Sequence, residues 1–537
     1  MSKEGFWSIF SKRSAICFFL VIVLFFSCIM RVAVIATSDY SKVQAKQSAM
    51  RLTVSNLRGT IYDCNMVPIT NSSTKIIAAV SPIPRAVTAI SSVLSGKELE
   101  SVLERLKSGK PVLCEVPEII DCDGISCITV YEHNSSDTKA LHLVGYTDSE
   151  SHGVSGLEKA YDKYLYSDKK AAFCFTMDGG GDILVGLKPE IENDTSVIAS
   201  GVVSTIDINI QTIAEEAAKQ IECGAVVVAD AKNSKIRAMV SVPSFDVADI
   251  SSYLNEEKSP LLNRALAAYS VGSVFKPCVA AAGIERGKGD FCYTCTGSTK
   301  IIDRYFKCHK LAGHGDMNLK SGLANSCNTF FYNFSFAVGG ERIYNTASAL
   351  GFGKSIDICD GLSTVKGNLP NPDSLSNIAY LANFSIGQGE LLLSPVAMLN
   401  LYCAIASDGA YNIPSAVEGT LSGGALTSYD IGERTRVMEK ETALILREYL
   451  TAVIEEGTGK SAKPKTVSAV GKTATAQTGK YENGAEICAG WFCGFFPVED
   501  PQYTVIVFSE NTKKQSATCG EIFAEIADRI AEMKNLI

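Results

Sequence analysis

The 537-residue sequence has no low-complexity tract and no run of lysines and arginines. The first absence excludes wholesale disorder. The second, together with 50 basic against 58 acidic residues and a formal net charge of −8, excludes nucleic acid as the main partner. No unit of 20–50 residues repeats, which argues against a solenoid or a propeller. Histidine is scarce, five in all, and brings no convincing pair of metal ligands. Beyond residue 36 no apolar run is long enough to cross a bilayer. What is present is a chain that is 46% hydrophobic and long enough for two to four domains with at least one large core.

The N-terminus is the exception to that soluble pattern. Between Arg13 and Arg31 the segment SAICFFLVIVLFFSCIM carries no charge, and VAVIA extends it to Ala36. Arg31 can snorkel to the headgroups, so a span over 14–36 is expected. Lys3, Lys12 and Arg13 precede it. That flank places residues 1–13 in the cytoplasm and the body of the protein outside. Val34-Ile35-Ala36 also resembles a signal-peptidase site, but the apolar region is long for a cleaved signal.

Of the 18 cysteines, 16 follow the apolar segment, at irregular spacings that do not describe a small disulfide framework. Cys292, Cys295 and Cys308, with His309 and His314 nearby, have the form of CxxC followed by CH. A zinc site needs a second well-spaced ligand pair, which that pattern lacks, so a disulfide or free thiols is the expectation here.

Residues 37–200 alternate short β-type runs, such as Ile76–Val80, with Pro, Gly and Ser clusters, and hold no catalytic arrangement. A change near Val202–Asp207 introduces a second region, 201–537. It opens with an amphipathic helix over 210–219 and a hairpin, Ala225–Val228 and Ile236–Val242, turned by Asp230-Ala-Lys-Asn-Ser. Helical stretches follow. Three strands are expected near the end, over 467–477, 490–497 and 503–509, before a helix over 520–533. An early hairpin and three late strands predict one antiparallel sheet covered by helices, an α/β arrangement of the α+β type.

The chemistry lies in this second region. Ser273-Val-Phe-Lys276 places a lysine one helical turn from a serine. A buried lysine with a depressed pKa could activate that serine without histidine. Alone the spacing means little, because it recurs at Ser72/Lys75, Ser136/Lys139, Ser167/Lys170 and Ser363/Lys366. Ser273 differs in its company: Ser326-Cys327-Asn328 follows 53 residues on, and Lys472-Thr473-Ala474-Thr475 lies on an expected strand. In this order the three match the Ser-x-x-Lys, Ser-x-Asn and Lys-Thr-Gly set of penicillin-binding proteins and serine β-lactamases.

On these motifs the sequence resembles a class B penicillin-binding protein, a peptidoglycan D,D-transpeptidase. Arg58-Gly-Thr-Ile-Tyr-Asp63, His142–Tyr146 and Gly156–Asp162 resemble the family's membrane-proximal motifs. Thr205-Ile-Asp207, Pro243–Asp246, Asn263-Arg-Ala265 and Gly387-Gln-Gly389 resemble those of its catalytic domain. The resemblance implies a serine β-lactamase-like transpeptidase domain over 201–537, an antiparallel sheet flanked by helices beside a helical lobe. A β-rich pedestal over 37–200, of dimerisation-domain type, would precede it.

It also implies roles. Ser273 would attack the D-Ala-D-Ala carbonyl of a stem peptide, with Lys276 as base. Ser326 would relay the proton, and Asn328 would position the substrate amide. Lys472 and Thr473 would bind the terminal carboxylate. The N–H groups of Ser273 and Thr475 would form the oxyanion hole. An acceptor amine would complete the cross-link, β-lactams would inhibit, and no metal or cofactor would be required. A glycan polymerase of the SEDS type is the implied membrane partner.

Two positions depart from the family pattern. Ala474 stands where the third motif has glycine, and Val271 replaces the proline before Gly272-Ser273. A methyl group at Ala474 could slow acylation, leaving a non-catalytic scaffold as the alternative reading. A β-lactamase is disfavoured by the anchor and the 160-residue preceding segment. A β-lactam sensor is disfavoured by the 13 residues before the span. Septal, elongation and sporulation roles all remain open at this stage.

Overall fold

The structure is a computed structural model that describes residues 3–37, 49–135, 137–178, 181–184, 186–482, 485–512 and 517–536. Ser136 of the Ser136/Lys139 spacing, residues 1–2 of the expected tail and residues 38–48 of the expected pedestal lie outside them.

The charge-free N-terminal segment lies inside one helix, Lys3–Thr37, since nothing in that segment breaks a helical backbone. Its stretch Lys12–Ala36 is 25 residues long with none of its residues buried, long and apolar enough to cross a membrane.

Chain contacts define two compact units, each assembled from separate segments. The first comprises Met1–Asn56, Thr74–Val130 and Lys169–Asp194. It holds two three-stranded sheets, and the expected run Ile76–Val80 falls within the strand Ser73–Val80. Helices Pro84–Val93 and Gly96–Leu106 bury Ile90, Val102 and Leu106 in a small core with Val80 and Val112.

The second unit comprises Leu57–Ser73, Tyr131–Asp168 and Thr195–Ile537. Its centre is a five-stranded sheet of β1 (Gly224–Asp230), β2 (Ile236–Val242), β3 (Val470–Glu482), β4 (Ala485–Phe496) and β5 (Tyr503–Thr512). The order is β2-β1-β5-β4-β3, and every pairing is antiparallel. The expected hairpin and the three late strands therefore form one sheet, with β3 at an edge.

Period-two alternation explains why β1 is apolar throughout. Val226 and Val228 face one core, whereas Ala225, Val227 and Ala229 face another. The first core is closed by α1 (Ile208–Ala218), which buries Ile210, Ile213 and Ala217 as its pattern predicts, and by the C-terminal helix Ala517–Lys534. Asp207 caps α1 by accepting from the N–H groups of Asn209 and Ile210. The opposite face carries the helical lobe, in which all twelve residues of the helix Pro395–Ala406 are buried.

The motifs at Arg58 and Glu158 meet inside this second unit. Arg58 Nε lies 2.6 Å from Glu158 Oε2, and its Nη2 lies 2.8 Å from Asp162 Oδ1. His133 Nε2 approaches Glu158 Oε1 at 2.7 Å. Burial alone would raise the Glu158 carboxyl, but His133 and Arg58 outweigh it and hold the pKa below its usual value. The segment that carries Arg58 is also tied in by backbone, since Thr60–Tyr62 pairs in parallel with Gly201–Ser204.

Candidate active site

Ser273 sits in a tight turn, Gly272–Phe275, that runs directly into α2 (Lys276–Glu285). Pro277 is tolerated here because a first helical turn has no partner for the missing N–H. Three contacts fix the turn. Gly272 N–H donates to the Gly387 carbonyl at 2.9 Å. The Tyr402 hydroxyl donates to Val274 O at 3.0 Å, and Trp491 Nε1 donates to Ser270 O at 2.9 Å. Gly272 has a φ of +61°, which glycine adopts without strain.

Lys276 is fully buried. Its Nζ donates to Ser326 O at 2.8 Å, to Ser326 Oγ at 3.2 Å and to Asn328 Oδ1 at 2.8 Å. The Phe331 ring lies beneath, 5.2 Å from Nζ to the centroid. The first two motifs therefore converge on one amine. Burial pushes the Lys276 pKa down to about 7, against a smaller upward pull from Cys327 and Cys308. Ser326 has a φ of +51°, unusual for a residue with a side chain. Asn328 opens α3 (Asn328–Val338) immediately after it, with Cys327 as the N-cap.

The third motif lies on edge strand β3, against the Ser273 turn. Lys472 is fully buried, and its Nζ donates to Thr473 O at 3.1 Å. Burial first, and then the neighbouring charge of Lys276, push its pKa well below the ordinary lysine value. The Thr473 hydroxyl pairs with that of Thr458 at 3.0 Å. Ala474 points the same way as Lys472 and is buried, as alternation requires. Its methyl packs toward Gly272, since a Cβ built on Gly272 would lie 3.4 Å from Ala474 Cβ.

A cavity of about 690 Å³ opens above this arrangement. Ser273, Asn328, Thr475 and Gln477 line it, together with residues 304–309 and Gln388. Ser273, Asn328 and Thr475 thus reach the cavity, whereas Lys276, Ser326, Lys472, Thr473 and Ala474 are buried and are not among its lining residues. The geometry supplies a serine at a helix start, a buried amine of lowered pKa one turn away, and a sheet-edge backbone facing the same space. Those are the parts that acyl transfer through a serine needs.

Sequence motifs did not single out the hairpin that forms one side of the cavity, Ser298–Ile301 paired with Arg304–Lys307. Apart from the buried Ile301 its residues are exposed or half-buried, and they show no chemical pattern. Of the cysteine pattern read from sequence, Cys295, Cys308 and His314 lie together, but Cys292 is exposed and apart from them. The fourth member of that group is Cys327, from the second motif.

The sequence matches the family described as penicillin binding protein transpeptidase domain over residues 224–532. The chain belongs to the penicillin-binding protein transpeptidase family. Its relatives include stage V sporulation protein D of Bacillus subtilis, 28% identical over 411 residues that cover 72% of this chain and 61% of that protein. They also include the peptidoglycan D,D-transpeptidase MrdA of Acinetobacter baumannii, 27% identical over 420 residues, 70% of this chain and 60% of that protein. The match thus spans about three-fifths of each relative's length, and such names agree with the class B resemblance of the motifs.

Among solved structures, penicillin-binding protein 3 of Mycobacterium tuberculosis in complex with aztreonam superposes with a TM-score of 0.67 at 23% identity, covering 91% of this chain and 98% of that one. The D,D-transpeptidase domain of a peptidoglycan glycosyltransferase from Eggerthella lenta gives 0.66 at 22% identity, covering 90% and 100%. The expected fold is therefore the observed one.

Proposed function

We propose that this family member is a peptidoglycan D,D-transpeptidase that works through an acyl-enzyme on Ser273 and is inhibited by β-lactams. The observation that carries this reading is the buried Lys276 amine, held by Ser326 and Asn328 one turn beyond a serine that lines the cavity. Ser273 Oγ attacks the carbonyl between the last two D-alanines, and its proton passes to Lys276. The oxyanion is met by the N–H groups of Ser273 and Thr475. The C–N bond then breaks, and the departing D-alanine amine takes a proton relayed through Ser326. An acceptor amine from a neighbouring stem peptide resolves the ester and restores the serine.

Asn328 orients the substrate amide. The Thr473 and Thr475 side of β3 receives the terminal carboxylate, with the buried Lys472 amine behind it. In this reading the N-terminal helix anchors the protein with residues 1–13 inside the cell. The unit that holds Thr74–Val130 and Lys169–Asp194 serves as the pedestal, the unit that holds Thr195–Ile537 is the catalytic domain, and the membrane partner is a SEDS-type glycan polymerase.

The test is acylation of the detergent-solubilised chain by a fluorescent penicillin, beside the Ser273→Ala variant. A lasting covalent band in the parent that is absent from the variant is the expected result. No band in a folded parent would overturn the reading and leave a scaffold, and rapid release of opened penicillin would make the protein a β-lactamase.

A further inference from the structure

Three sulfurs and one imidazole converge beside the second motif, and transpeptidation uses none of them. Cys295 ends the strand Tyr293–Cys295, Cys308 follows the strand Arg304–Lys307, His314 precedes the strand Gly315–Met317, and Cys327 caps α3. Their ligand atoms all lie within 4.8 Å of one another. We propose that Cys295, Cys308, His314 and Cys327 form a tetrahedral zinc site that ties the cavity-lining hairpin to the Ser326–Asn328 loop.

The distances suit a Cys₃His site. With Zn–S of about 2.3 Å and Zn–N of about 2.0 Å, tetrahedral geometry gives S···S edges of about 3.8 Å and S···N edges of about 3.6 Å. Cys308 Sγ lies 3.9 Å from Cys327 Sγ. His314 Nδ1 lies 3.6 Å from Cys295 Sγ and 3.5 Å from Cys308 Sγ.

The surroundings are those of a built site. The Thr329 hydroxyl donates to Cys295 Sγ at 3.0 Å and lies 3.4 Å from Cys327 Sγ, an outer contact that orients two ligands at once. Gly297 and Gly313 turn the connecting loops at φ of +93° and +83°. A side chain at Gly313 would meet Cys295 O at 2.3 Å, so the loops close tightly around the group. The three cysteines are buried and His314 is half-buried. A soft, thiolate-rich tetrahedral donor set selects zinc over hard cations. A disulfide would engage two sulfurs and leave the third and the imidazole without a role.

Cys327 lies between the two residues that hold Lys276, so the metal fixes Ser326 and Asn328 through one residue common to both motif and site. This positioning role rests on the transpeptidase reading, whereas the metal site itself does not.

The test is metal analysis of the full chain, purified in detergent and reductant from zinc-replete cells, alongside Cys295→Ser, Cys308→Ser and Cys292→Ser. The expected result is close to one zinc per parent chain, retained by Cys292→Ser and lost from the other two. Should those variants fail to fold, the parent decides alone. Chelation followed by cobalt(II) must then give thiolate-to-cobalt charge-transfer and tetrahedral ligand-field bands. A parent chain without zinc that gives no such bands overturns the site, as does zinc retained equally by all variants. A chain holding iron overturns the choice of metal. For positioning, the chelated parent should acylate fluorescent penicillin at least tenfold more slowly and recover on zinc addition. An unchanged rate removes that role, and a zinc-loaded chain that never acylates counts against the transpeptidase reading alone.

Discussion

At the scale of single residues, the decisive group is Lys276. A general base acts only when neutral, and burial has brought this amine from the ordinary lysine range down to about 7. Penicillin acylation should therefore rise with pH, roughly tenfold per unit below that value, and level off above it. The effect on stability has the same direction. The unfolded chain holds a proton on this lysine that the folded chain lacks between about pH 7 and the ordinary lysine pKa of about 10.4. The penalty for burying it is thus complete below about 7 and is relieved as pH rises through that window. Second-order acylation rates measured from pH 5.5 to 9 would test this, and a profile flat across neutrality would remove Lys276 as the titrating base.

The candidate catalytic residues stand out in the sequence because three short motifs follow one another in a set order along the chain. Ser273, Lys276, Ser326, Asn328 and Lys472 lie in short motifs whose spacing reflects one turn of helix or one strand. Cys327 could not be matched to Cys295 and Cys308 in the same way. It lies in a different motif, and the exposed Cys292 offered a more regular but misleading CxxC.

At the scale of elements, the candidate active site is a seam between the Ser273 turn, edge strand β3 and the Gly387–Gly389 loop. The alternation of β1 and the amphipathic face of α1 made the sheet readable in advance. The function of Gly387 became clear only in three dimensions. Its carbonyl accepts from Gly272 N–H, its φ is +73°, and an added Cβ would lie 2.0 Å from Gly272 O. Gly389 has a φ of +83°, but its nearest neighbour would be Asn383 Cβ at 3.8 Å. Both alanine variants carry the left-handed backbone cost of about 1 kcal/mol, but only Gly387→Ala displaces the turn that presents Ser273. Gly387→Ala should lose at least tenfold in acylation rate while Gly389→Ala stays within about threefold, a gap worth about 0.7 kcal/mol or more of barrier. Equal rates in two folded variants would mean that the Gly387 contact does not set the nucleophile's position.

At the scale of the whole molecule, the chain does not divide where its composition changes. The region before residue 200 reads as separate because it is β-rich and holds no catalytic motif, yet Leu57–Ser73 and Tyr131–Asp168 belong to the same compact unit as the catalytic sheet. Sequence pattern could not show this, because the links are long-range. Thr60–Tyr62 pairs with Gly201–Ser204, and Arg58 finds Glu158 a hundred residues away. These links make a prediction about truncation. A fragment of residues 201–537 would lose one of the two partners of the strand Gly201–Ser204, keeping only Val417–Ser422, and uncover Ile206 and Val202, both fully buried. It should be insoluble or melt well below a fragment of residues 49–537.

Within that longer fragment, Arg58→Ala leaves the Glu158 carboxylate buried beside His133 alone. Removing one partner of a buried pair typically costs about 3–5 kcal/mol. The Glu158 pKa is depressed, so its ion pairing contributes above the ordinary carboxyl range and fades as pH falls through the folded value. Destabilisation by Arg58→Ala, measured by thermal melting, should therefore be larger at pH 7 than at pH 4. If residues 201–537 alone melt as high as residues 49–537, the earlier segments contribute no stability to the catalytic sheet. The Arg58 network would then have to serve something other than holding that unit together.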